Sequence, residues 1–69
     1  MMRFHFEILG YLGNWEENID KIRKILEQEQ SEGLTRFVLQ KIGPTALLMI
    51  WPEARKKFPH LFINFGGSR

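Results

Sequence analysis

With 69 residues, no cysteine and a formal net charge of +2 (pI about 9.3), the chain has room for one core and cannot hold a disulfide framework or a thiolate metal site. A chain this short buries only roughly 60% of the surface its unfolded form exposes, so tight packing or self-association must supply what cross-links do not. The mild basicity permits a nucleic acid or an acidic protein as partner and requires neither, and two histidines without carboxylates cannot close a zinc site.

The segment from Met2 to Leu9 alternates, with Met2, Phe4, Phe6 and Ile8 on one side and Arg3, His5 and Glu7 on the other. Period two with aromatics predicts a strand with one buried face. The same stretch carries His5 and Glu7 in the only apolar N-terminal run and no small-residue cleavage site follows, so no secretory leader is expected. No apolar run reaches the length of a membrane span, and the lack of cysteine points to a reducing cytoplasm.

Asn14 to Gln30 predicts the one long helix. Asn14 is an N-cap type, and Glu17 completes a capping-box spacing. Trp15, Ile19, Ile22, Ile25 and Leu26 form an apolar stripe. Glu17–Lys21, Asp20–Lys24 and Arg23–Glu27 are spaced for ion pairs, and Gly33 is the expected terminator. Glu27, Glu29 and Glu32 stand at the end where the helix dipole disfavours them.

Leu34 to Ile42 predicts a second strand, with Phe37 and Leu39 on one side and Arg36, Val38, Gln40 and Ile42 on the other. Gly43-Pro44-Thr45 is a tight-turn signal, and the apolar run from Ala46 to Trp51 suits a strand covered on both faces. Pro52 stops it, residues 53–58 suit a short helix, and His60 to Phe65 alternate as a last strand before a frayed tail at 66–69. The expectation is a single α+β domain over 1–69, ordered β-α-β-β-(short helix)-β. A mostly antiparallel sheet of three to four strands packs on one long helix, and the place of the last strand is open.

One helix leaves the far face of such a sheet uncovered, with Val38, Ile42 and Phe62 on it, and apolar faces of that size rarely stay bare. The functional expectation is therefore a non-catalytic protein-binding module or inhibitor, acting through that face on another protein or as a homodimer, with no cofactor and no membrane. The alternative is an RNA- or DNA-binding protein. Arg55, Lys56 and Lys57 lie between Trp51, Phe58 and His60, and with Arg36 and Phe62 they mix cations for phosphates with rings for bases. A third reading pairs His5 and His60 as acid and base of a small endoribonuclease, with Lys41 or Arg55 stabilising the phosphorane. Against it, His5 shares a polar strand face with Arg3 and Glu7, where a histidine is accounted for as an exposed or edge residue. The Gly10 to Gly13 loop has neither the third glycine of a dinucleotide site nor the Gly-Lys-Ser/Thr end of a P-loop.

Overall fold

Phe4, Ile8, Tyr11 and Leu12 recur at the spacing of one helix face, and residues Met2–Leu12 form a helix, α1, that turns this face inward. The computed structural model describes residues 2–63, and among these there is no strand. A 3₁₀ turn at Trp15–Glu17 leads to α2 (Ile19–Glu29), followed by α3 (Glu32–Ile50), a short α4 (Ala54–Lys57) and a second 3₁₀ turn at Pro59–Phe62. Helices α1, α2 and α3 each touch the other two, α4 packs on the end of α3, and the last turn packs on α4.

The expected α+β sheet is overturned. The segments predicted as strands at 2–9, 34–42 and 46–51 belong to α1 and α3, save Trp51, which directly follows α3, and the last one begins as a 3₁₀ turn. Its residues 64 and 65, and the tail at 66–69, lie outside the described residues. The physical reason is that short apolar segments satisfy two periods at once. In α3 the buried residues Leu34, Thr35, Val38 and Leu39 fall at helical steps, as do Ala46, Leu47 and Ile50 further on. Three helices bury these sets together, and that packing overrides the β-propensity of the aromatic and branched residues.

The helix ends are made locally. Asn18, rather than Asn14, flanks α2; its side-chain amide donates to the backbone carbonyl of Asn14 at 3.0 Å. Gln30 closes α2 in the left-handed region (φ 48°), and its side chain donates to the carbonyl of Glu27 at 2.7 Å. Ser31 then caps α3, its Oγ accepting from the Leu34 N–H at 3.1 Å. Glu32 thus stands in the first turn of α3, where the dipole favours a carboxylate, and Gly33 lies inside that turn instead of ending α2.

Gly43 interrupts α3 with φ 89° and ψ 166°, so residues 32–42 and 44–50 are two rods meeting at an angle. Pro44 opens the second rod, where its missing N–H costs nothing. The rods and α1 and α2 enclose a core built on Ile8, Ile22, Leu26, Val38, Leu47 and Ile50. Arg23 of α2 reaches across to the end of α3, its Nε donating to the carbonyl of Ile50 at 2.8 Å. No helix of the described residues is long and apolar enough to cross a membrane.

Candidate functional site

The residues expected on an open apolar face are inside. Val38 and Phe62 are buried and Ile42 is half-buried. With no sheet there is no face for them to share, and Val38, Ile42 and Phe62 pack in or against the helical core instead.

The basic–aromatic cluster separates into two parts. Its rings turn inward: Trp51 is 1% exposed and Phe62 4%, and Phe58 packs edge-on to Trp51 with centroids 6.5 Å apart. Its cations turn outward. Arg55, Lys56 and Lys57 are exposed along α4, and none forms an ion pair with a described residue. Arg36 is exposed and bound to Glu32 at 2.9 Å. His60, half-exposed, is bound to the same carboxylate oxygen at 2.8 Å. Stacking of bases on Trp51 and Phe62 has no geometric basis here.

The histidines are engaged in different structural contacts. His5 packs at a tilt of 56° against Phe37 with centroids 4.8 Å apart, and its Nδ1 is buried without a hydrogen-bond partner. Lys41 lies over the ring of the same Phe37, 5.5 Å from its centroid. His60 holds Glu32 and meets the edge of Phe58. Neither imidazole is paired with the other, and a shared scissile bond finds no support in these contacts.

A cleft of about 360 Å³ opens where the start of α1 meets the α2–α3 corner, lined by Phe4, His5, Glu29, Ser31 and Leu34. Ser31 is committed to capping α3, and the orphan His5 nitrogen is shut off from solvent. The cleft therefore offers a ligand few directed polar groups.

Two features escape the sequence reading. The first is the outer face of α1, where Phe6 is 73% exposed and Leu9, one turn on, 45% exposed. Gly10 lies on the same exposed side, and a Cβ built there would meet nothing within 4 Å. The signal is in the sequence: α1 has only Arg3 and Glu7 as charges among its 11 residues, too few for a helix with a wet face.

The second is a segregation of charge. Residues 2–32 carry seven acidic side chains against four basic ones, while residues 33–63 carry five basic side chains against Glu53 alone. The acids of the first half lie mostly on α2 and its flanks, and three of the cations of the second half lie on α4. Comparison with protein-family models, with curated proteins and with solved structures finds no match for this chain.

Proposed function

We propose that the chain is a small non-catalytic binding protein that associates with a second copy of itself through the outer face of α1. The observation that carries this reading is Phe6. It is the most exposed large apolar side chain among the described residues, on a helix whose opposite face already fills the core. A helix apolar on both sides suits burial on both sides.

A second copy fits the face on its own chemistry. Phe6 and Gly10 are one helical turn apart, a knob beside a bare patch of backbone. Two α1 helices related by a two-fold axis and running antiparallel set each Phe6 against the Gly10 of the other, with Leu9 flanking. Such self-complementarity is what a two-fold interface requires. Burying a phenylalanine contributes roughly 1.5–3 kcal/mol. A helix of this length spans about 16 Å, so the contact is modest and dissociation in the micromolar range is expected.

Sedimentation velocity over a concentration series tests the reading. The wild-type chain is expected to pass from monomer to dimer, and Phe6→Glu is expected to stay monomeric, with the thermal midpoint of the wild-type chain at concentrations where that too is monomeric. A wild-type chain that is monomeric at its highest soluble concentration overturns the proposal, as does a dimer that persists in Phe6→Glu.

A further inference from the structure

The cations of α4 have three properties that belong together. Arg55, Lys56 and Lys57 are consecutive on one short helix, exposed, and without an ion-pair partner among the described residues, although Glu53 is close by in the chain. They belong to the half of the chain whose charge is almost wholly positive. Of the aromatic rings near them in sequence, Trp51 and Phe62 are buried in the core, and the partly buried Phe58, next to Lys57, packs edge-on to Trp51.

We infer that α4 is an electrostatic docking surface for the phosphodiester backbone of a nucleic acid, held without reading its bases. Phosphate contacts from lysine and arginine give affinity and position, whereas sequence is read at base edges or by stacking. The buried rings remove the stacking route and leave the cations. A protein partner would need an apolar or aromatic anchor amid the charges, and α4 itself offers none: Ala54, its one apolar residue, is buried. Arg36 and His60 are not counted in this surface, because both are held by one Glu32 oxygen. The surface lies on a different element from the α1 face, so it stands whether or not the chain self-associates.

Three phosphate contacts on duplex DNA give a slope of log affinity against log salt of about −3, with non-specific dissociation constants of order 10⁻⁴ to 10⁻⁶ M. The experiment is a fluorescence-anisotropy titration of a labelled mixed-sequence DNA duplex with the full chain, over a range of salt. Lys56→Gln/Lys57→Gln is compared with Lys21→Gln/Lys24→Gln, which removes the same charge from α2. Far-ultraviolet circular dichroism confirms that both variants keep their helices.

The α4 variant is expected to lose binding and to flatten the slope by about 2, one unit per lost contact, while the α2 variant keeps the wild-type slope. Equal loss in both variants overturns the inference, because binding would then follow net charge alone. Salt-independent binding, or none at low salt, overturns it too. Polyglutamate that competes as well as unlabelled DNA would reassign the surface to an acidic protein.

Discussion

The Nε2–H of His60 donates to Oε2 of Glu32 at 2.8 Å, and the same oxygen accepts from Arg36 at 2.9 Å. One carboxylate thereby ties the final 3₁₀ turn to the first turn of α3. Glu32 is suited to the task, because the N-terminal turn of a helix already favours its negative charge. The hydrogen bond from His60 is the largest influence on this carboxyl. Partial desolvation opposes it, the charges of His60 and Arg36 reinforce it, and the net effect holds Glu32 below the usual carboxylate range.

A pH dependence follows with a definite sign. Glu32 releases its proton more readily folded than unfolded, so the contact stabilises the fold above the ordinary carboxylate value. That contribution is lost as pH falls through the lowered folded value. In His60→Ala the titration of Glu32, followed by carbon-detected NMR of its side-chain carboxyl, is expected to move up toward the ordinary value. A midpoint that stays put would assign the effect to Arg36 instead.

Arg23 links α2 to the C-terminal end of α3, where helix carbonyls lack intrahelical partners. Its other contact, to Asp20 at 3.1 Å, involves a carboxylate that is almost fully exposed. Removing the two partners should therefore have unequal effects. Arg23→Gln is expected to cost about 1–2 kcal/mol in urea unfolding, because the Ile50 carbonyl loses a charged donor. Asp20→Ala is expected to cost less than about 0.5 kcal/mol, as exposed pairs do. Equal costs would show that the ion pair, rather than the bond to Ile50, is what matters at Arg23.

Trp51 separates the core role of the aromatics from a binding role. It is 1% exposed and packs on Phe58, so Trp51→Ala is expected to cost about 3–5 kcal/mol. That equals the roughly 3–5 kcal/mol a core of this size supplies, so the variant should be largely unfolded by circular dichroism at 25 °C. A folded Trp51→Ala would mean that α4 and the last turn contribute little to the stability of the three-helix core.

The elements differ in how far the sequence discloses them, for reasons visible in particular residues. The α2 stripe of Ile22, Ile25 and Leu26 is unambiguous, because charged residues fill every position between its apolar ones. In α1 they do not: Phe4, Phe6, Ile8 and Leu9 satisfy a strand and a helix alike, and only packing against α2 and α3 selects among them. In α3 the steps from Leu34 to Val38 and from Leu47 to Ile50 are helical. The Gly-Pro pair between them reads equally well as a hairpin turn or as a helix break. The cations of the candidate surface are legible as exposed charges, since Arg55, Lys56 and Lys57 have nowhere else to go. The inward turn of Trp51 and Phe62 is not, because it depends on α4 folding back over the end of α3.

Gly43 is the position where a single methyl group tests that arrangement. Its φ of 89° with ψ of 166° lies in a region that essentially only glycine occupies. A Cβ built there meets nothing within 4 Å, so any penalty in Gly43→Ala is carried by the backbone and not by a clash. The expected cost is about 1–3 kcal/mol, read as a lowered thermal midpoint. D-alanine, introduced by chemical synthesis of the chain, takes a positive φ without strain and is expected to retain the wild-type midpoint or exceed it, because it also restricts the unfolded chain. If L-alanine leaves the midpoint unchanged, the break in α3 belongs to Pro44 alone and the chain turns there by another conformation. If L-alanine destabilises and D-alanine does not, the left-handed step at Gly43 sets the direction of residues 44–50. The Ile50 carbonyl meets Arg23 only because that rod points as it does.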